Sequence, residues 1–259
     1  MAQESAHQPS GIEAMRTLTE AFTEELDPVA TDRLLDVGTG SGRFAMALTK
    51  LVPEGSVAGI DPARDRLLTA RDAITRHGIG NFGLALGRAE ALPFAPQVFD
   101  CACLMFSLHH FADPAKALCE MRRVVKKGGY LVSVDSVLKE PVDEVDRRLR
   151  AVIEEAFRLT HGPDHRFFTV PELQELYQRM GFSVRSCRAY AFPVRQLGLA
   201  GIPQGGHWLD AHRLLRSRHD EDLMHRFERD YFFFREEAGQ LLVEGETVWA
   251  VIRAVKSNN

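Results

Sequence analysis

LLDVGTGSGRF, residues 34–44, decides how the rest of the chain is read. A short apolar run ends in an acid, Asp36, and glycines follow at alternate positions, 38, 40 and 42. An apolar strand feeding a glycine-rich turn, with RFAMALTKLV continuing as a helix, reads as the entry to an α/β unit. Glycine in such a turn lets a ligand approach the backbone closely at a helix N-terminus. Two phosphate-binding patterns fail on spacing. A dinucleotide turn needs a third glycine where this chain has Arg43, and a GxxxxGK[ST] phosphate loop is absent. The carboxylate of Asp36 suits an ammonium or sulfonium better than a pyrophosphate.

The same rhythm recurs downstream. SVAGID (56–61) reads as a strand and PARDRLLTARDAITRHG (62–78) as a helix, with Pro62 in its first turn and Gly78 closing it. FGLAL (82–86) is a third strand, with no clear helix before LPFAPQ. VFDCACLMF (98–106) is a fourth, followed by the helix DPAKALCEMRRVVKKGG, which Asp113 caps, Pro114 starts and Gly128 stops. The basic cluster RRVVKKGG then complements the dipole at that helix end, and YLVSVD (130–135) is a fifth strand. Near-continuous apolar strands alternating with helices give a parallel sheet covered on both faces. Residues 30–136 therefore read as a doubly wound α/β core whose ligands bind beyond the carboxyl ends of the strands.

The remainder has a different texture. Residues 12–26 form an N-terminal helical cap within 1–29. VDEVDRRLRAVIEEAFRLT (142–160) is an amphipathic helix, and TVPELQELYQRMG (169–181) is a shorter one with Thr169 and Glu172 at capping-box spacing. FSVRSCRAYAF and TVWAVIRAV place C-terminal strands at 182–192 and 246–256. No stretch has a linker's composition, so 137–168 and 193–244 read as lid and substrate elements of a single domain spanning 1–259.

Bulk properties narrow the function classes. The chain of 259 residues is 45% hydrophobic and 26% charged, with a net charge of −4 and no long basic block, so generic electrostatic binding of nucleic acid is not favoured. No apolar run approaches the roughly 20 residues needed to span a bilayer. MAQESAHQPSG lacks the pattern of a secretory signal, which gives a cytoplasmic expectation with no membrane partner. Cys101, Cys103, Cys119 and Cys187 lack CxxC spacing and read as reduced core residues.

Asp61 closes the second strand, where an acid in this architecture accepts hydrogen bonds from both hydroxyls of a ribose. A ligand with a ribose, little or no phosphate and a positive charge matches S-adenosyl-L-methionine, leaving S-adenosyl-L-homocysteine as product. LLDVGTGSGRFA, GIDPA and GRAEALPFAPQVFDCACLMFSLHHFADPAKALCEMRRVVKKGGYL resemble the class I S-adenosylmethionine-dependent methyltransferases, especially the branch holding quinone C-methyltransferases and many small-molecule methyltransferases. The resemblance covers 30–136, with weaker likeness in TVPELQELYQRMGF. It implies a Rossmann-like seven-stranded sheet, mostly parallel with an antiparallel C-terminal strand and helical lid insertions. It also implies that Asp36, Gly38, Thr39 and Gly40 surround the methionine end, that Asp61 holds the ribose, and that Pro62 and Ala63 lie near the adenine. Where the family often carries an acid that accepts from the adenine amino group, this chain has Arg88, which offers no acceptor. Either the backbone around Ala89 and Glu90 reads the adenine, or that environment is altered. Leu92, Pro93 and Phe94 read as packing residues.

Methyl transfer from a sulfonium is an in-line displacement that depends on holding three atoms collinear, so motifs for the acceptor are weak. A base is needed only if the acceptor must lose a proton. In FSLHHFADP, His109 and His110 are the candidate catalytic residues, since imidazole titrates near neutral pH. Phe106 and Ser107 are expected as cofactor neighbours. His161, Asp164, His165, His207, His212, His219 and His225 read as scattered surface residues, with no metal site. Phe157, Phe167, Phe168, Tyr190, Phe192, Trp208 and YFFFRE (231–236) suit an apolar or aromatic small-molecule acceptor as well as plain lid packing. The YFFF run is also compatible with a buried helix turn or a homodimer contact. An RNA methyltransferase lacks its expected motifs here, whereas a non-catalytic cofactor-binding module stays open.

Overall fold

The computed structural model describes residues 11–200, 202, 204–237 and 239–257. The leader reading of MAQESAHQPSG therefore falls almost wholly on residues outside the described ones, as do the first ten residues of the expected cap. In chain order the elements are α1 (Gly11–Leu26), β1 (Arg33–Val37), α2 (Arg43–Leu48), β2 (Ser56–Asp61), α3 (Arg64–His77), β3 (Phe82–Leu86), β4 (Phe99–Met105), α4 (Pro114–Val124) and β5 (Val125–Ser136). They continue with α5 (Glu144–His161), α6 (Val170–Arg179), β6 (Phe182–Leu197), α7 (Gly205–Ser217), α8 (Glu221–Asp230), β7 (Phe232–Glu237) and β8 (Gln240–Lys256). No described helix is long and apolar enough to cross a membrane.

Strands run in the order β3-β2-β1-β4-β5-β8-β6, and β7 pairs with β8. The pairings of β1 with β2 and β4, of β2 with β3, and of β4 with β5 are all parallel. This is the doubly wound, mostly parallel sheet that the alternating pattern requires, with an antiparallel element at its C-terminal end. It has eight strands rather than seven because YFFFRE is not a helix turn. Phe232 and Phe234 are buried while Phe233 between them is half-buried, a two-residue period that only a strand produces, and β7 zips antiparallel onto β8 from Phe232↔Gly245 to Glu237↔Gln240. Those rings belong to the chain's own core.

Other local differences have simple causes. Helix α4 stops at Val124, well before Gly128, because Val125 already pairs with Phe99 in the sheet. Pairing resumes at Tyr130↔Cys101, so Lys126–Gly129 form a bulge instead of a helix end, and Gly128 serves it with φ +73°. Asp113 does cap α4, accepting from Lys116 N at 2.9 Å, with Pro114 in the first turn. Helix α3 starts at Arg64, two residues beyond Pro62, with Ala63 as its N-cap donating its backbone N–H to Asp61, and Gly78 ends it in the left-handed region as expected. Cys101 and Cys103 are buried, but Cys119 is exposed on α4, its Sγ 3.5 Å from Met180 Sδ, and Cys187 is half-buried.

The chain groups into two compact units. One holds Ala21–Asp135, Val170–Arg188 and Ala250–Asn259, and contains strands β1 to β4 with nearly all of β5. The other gathers Ser136–Thr169 and Ala189–Trp249 with Met1–Glu20. Its core is its own: Val152, Ile153, Phe157, Trp208, Phe227 and Phe232 pack together from α5, α7, α8 and β7. At 25 cal/mol per Å2, each such buried ring or branched chain contributes about 1.5–3 kcal/mol to its folding.

Candidate active site

Three strand ends of the first unit carry the site. Gly38 and Thr39 both donate backbone N–H groups to Ile60 O, at 2.8 and 2.9 Å, which ties the turn after β1 to the end of β2. Gly38, Gly40 and Gly42 all have positive φ (+81°, +54° and +76°), so the alternate glycines are a conformational requirement. At Gly38 space is also closed: a Cβ there would lie 2.6 Å from Ser107 Cβ.

Asp61 is the best-fixed acid. Its Oδ2 accepts from Gly40 N and its Oδ1 from Ala63 N, both at 2.8 Å, and the residue is 6% exposed. Each oxygen keeps a second lone pair, so the carboxylate is anchored without being used up. Asp36 is its opposite. It is 2% exposed, and its Oδ2, like Thr39 Oγ1, makes no hydrogen bond among the described residues. Burial pushes its carboxyl up to about 7, with the Thr39 hydroxyl opposing and the Asp61 charge adding to the rise. A buried carboxylate oxygen and a buried hydroxyl without partners, beside a turn of glycines, call for a polar and preferably cationic ligand. The residues present therefore fit the ammonium and sulfonium end of S-adenosylmethionine.

The β3 side explains Arg88. Its guanidinium pairs with Glu90 at 3.4 Å, and Glu90 Oε1 also accepts from Asp113 N at 3.3 Å. Burial raises the Glu90 carboxyl, but backbone N–H groups and Arg88 outweigh it and hold the group below its usual range. Arg88 is thus neutralised by its neighbour two residues on. Pro62 is exposed, whereas Ala89 is buried. Leu92 packs as expected, whereas Pro93 is exposed and Phe94 half-buried, and the segment is clamped by Arg123 and Glu120 of α4. Arg123 donates to Phe94 O at 2.7 Å and to Leu92 O at 2.9 Å, while Glu120 accepts from Leu92 N at 2.9 Å and from Arg123.

Beyond β4, Phe106 adopts φ +52°, a left-handed conformation that a bulky residue keeps only when its surroundings enforce it. Ser107 Oγ donates to Val37 O at 2.8 Å, so this segment is pinned against the glycine turn. The two histidines separate. His110 is exposed, and its ring lies 4.2 Å from that of His109. His109 is 2% exposed, with its backbone N donating to Asp135 Oδ2 at 3.1 Å and its Nδ1 in short contact with Asp135 Oδ1. Asp135 went unnoticed in the sequence, although YLVSVD ends in an acid as the first two strands do.

In the second unit His161, His165 and His207 come together instead of being scattered, whereas His219 and His225 are exposed. His161 Nδ1 and His207 Nε2 are 2.8 Å apart, His207 Nδ1 is 2.8 Å from Thr160 Oγ1, and His165 lies 5.0 Å from His161 ring to ring. Thr160 donates to Ala156 O at 2.9 Å, so its oxygen accepts from His207 Nδ1. His212 is buried as well, and burial pushes its imidazole down against the opposing Glu228.

A doubly wound sheet with this acid, glycine turn and second strand-end acid defines a nucleoside-binding α/β enzyme class. Residues 35–133 match the Methyltransferase domain family. That match, with the methyltransferase relatives, supports a class I S-adenosylmethionine-dependent methyltransferase domain in this part of the chain. Among relatives, an uncharacterized methyltransferase of Schizosaccharomyces pombe is 39% identical over 107 residues, 39% of this chain and 38% of that protein. The uncharacterized methyltransferase YcgJ of Bacillus subtilis is 28% identical over 166 residues, 64% of this chain and 63% of YcgJ. The ubiquinone/menaquinone biosynthesis C-methyltransferase UbiE of a Marinomonas strain is 38% identical over 104 residues, 39% of this chain and 41% of that protein. The matches thus span less than two thirds of the length of these relatives. The crystal structure of YcgJ superposes with a TM-score of 0.74 at 24% identity, over 95% of this chain and all of that one.

Proposed function

We propose that the protein moves a methyl group from S-adenosylmethionine to a small-molecule acceptor by in-line displacement. The observation that carries this is the pair of strand-end acids, Asp61 anchored by two backbone N–H groups and Asp36 buried with an oxygen lacking a partner. Asp36, Gly38, Thr39 and Gly40 would hold the methionine end and Asp61 the ribose. Pro62, Ala63, Ala89 and Glu90 would border the adenine, with Phe106 and Ser107 closing the other side. Bound there, S-adenosylmethionine supplies an electrophilic methyl group on a sulfonium. The chain's own contribution is orientation: a turn locked by Ile60 and Ser107 keeps the carboxylate of Asp36 fixed while the acceptor approaches. The relative named for ubiquinone/menaquinone biosynthesis supports a small-molecule acceptor, and His109 and His110 would be the candidates to accept a proton.

Isothermal titration tests the reading. S-adenosylmethionine and S-adenosylhomocysteine should both bind, and Asp61→Ala should weaken each by about tenfold to a hundredfold through two lost charge-assisted hydrogen bonds. Absence of binding to the unaltered chain would remove the proposal's basis.

A further inference from the structure

We infer that Arg122, Lys127 and Lys256 form a binding site for a dianionic phosphate group at the end of the sheet where β5 begins, opposite the strand ends that carry Asp36 and Asp61. The three side chains come from the last turn of α4, the bulge early in β5 and the last residue of β8. All of these segments belong to the first of the two units. Lys256 Nζ donates to Val125 O at 2.7 Å, and Arg122 Nε donates to Gly181 O at 3.3 Å. Gly181 O also accepts from Ser257 N at 3.1 Å, which ties the end of β8 to the arginine.

A backbone carbonyl directs a cationic group without cancelling its charge. Lys127 is exposed, and neither it nor Lys256 forms an ion pair among the described residues. Lys126 differs, since its Nζ meets Asp100 Oδ1 at 2.6 Å. The bulge thus sends one lysine to an acid near the start of β4 and leaves the next among like charges. Burial holds the Lys256 ammonium below its ordinary value, and the charges of Arg122 and Lys127 push it the same way. The helix-end reading of RRVVKKGG accounts only for Arg122 and Arg123, because α4 stops at Val124.

Cations gathered at fixed positions repel one another, and an anion placed among them offsets that repulsion. Charge selects the anion. A carboxylate brings a single negative charge, whereas a phosphate monoester brings about −1.5 to −2 near neutral pH and three acceptor oxygens, enough for one guanidinium and two ammonium groups.

Isothermal titration at low ionic strength, with inorganic phosphate, phenyl phosphate and benzoate as probes, tests the site. Both phosphates should bind, and benzoate should bind at least about tenfold more weakly. Affinity for phenyl phosphate should fall between about pH 7.5 and about pH 5.5, as its second ionisation near about 6 is reversed. Tighter binding of phenyl phosphate than of inorganic phosphate marks an esterified ligand, and equal or weaker binding marks the free ion. Lys127→Gln removes no hydrogen bond or ion pair among the described residues, so the fold should be unaffected. It should nevertheless weaken phosphate binding about tenfold, as should Lys256→Gln, whereas Lys126→Gln should leave affinity within about twofold. Absence of phosphate binding, binding that survives both the Lys127 and Lys256 substitutions, an equal loss in Lys126→Gln, or benzoate binding as tightly as phenyl phosphate would each overturn the inference.

Discussion

Asp36 and Asp61 stand at the ends of adjacent parallel strands and are held in opposite ways. Asp61 has both oxygens on backbone N–H groups, whereas Asp36 is buried with Oδ2 unpartnered and its carboxyl raised to about 7. An acid whose folded value lies above its unfolded one binds more protons in the native state, so its contribution to stability is greatest below the ordinary carboxylate range and is lost as pH rises toward 7. Asp36→Asn should therefore raise the melting temperature of the ligand-free protein at pH 8 and change it little at pH 4. A cation at Asp36 favours the ionised form, so stabilisation by S-adenosylmethionine should be larger at pH 8 than at pH 6 in the wild type. Differential scanning fluorimetry at three pH values checks both, and an Asn variant with the unaltered pH dependence would refute the assignment to Asp36.

Gly38 combines a left-handed φ with a Cβ position 2.6 Å from Ser107. Gly38→Ala must both strain the backbone and push Ser107 away from Val37 O. Urea unfolding should show a loss of about 1–3 kcal/mol, and titration should show cofactor binding weakened more than Gly78→Ala weakens it. Gly78 also has positive φ, but a Cβ there meets nothing within 4 Å.

Arg123 and Glu120 act on the β3–β4 connection through its backbone. Arg123→Ala leaves the carbonyls of Leu92 and Phe94 without their donor, at a cost of about 1–2 kcal/mol. Arg88→Ala removes only an ion pair with Glu90 from a largely exposed side chain. Hydrogen exchange should accordingly show faster exchange at Leu92 in Arg123→Ala, and titration should show S-adenosylhomocysteine affinity within about threefold of wild type in Arg88→Ala. Loss of affinity in the Arg88 variant would place its side chain on the ligand after all.

Much of this was legible in the sequence because parallel strands buried on both faces read as apolar runs, and because strand-end acids and glycines follow from the turn's needs. RLLDV, SVAGID and FGLAL coincide with β1, β2 and β3. The bulge at Lys126–Gly129 was hidden, since basic residues before two glycines look the same at a helix end as in a strand that has slipped its register. YFFF misled for a related reason: four consecutive aromatics carry no alternation of polarity, and only the pairing with β8 separates the buried rings from the half-buried one. Asp135, Glu120 and Arg123 act through contacts distant in sequence, which spacing does not encode.

Phe157 offers a test of the second unit by itself. The ring is fully buried and packs edge-on against Phe167 at 4.7 Å and Trp208 at 5.1 Å, with the His165 ring at 5.0 Å. Phe157→Ala leaves a cavity among side chains of α5, α7 and the 165–167 segment, which carries a cost of about 3–5 kcal/mol when neighbours relax only partly. Because the Ser136–Thr169 and Ala189–Trp249 segments have their own core, hydrogen exchange followed by mass spectrometry should show protection lost in α5, α7 and α8. Amides of β1, β2 and β4 should exchange at wild-type rates, and binding of S-adenosylhomocysteine should persist. Uniform loss of protection across β1, β2 and β4 would instead mean that the two units unfold as one cooperative body, and the Phe157 core would then be part of what holds the nucleoside site in shape.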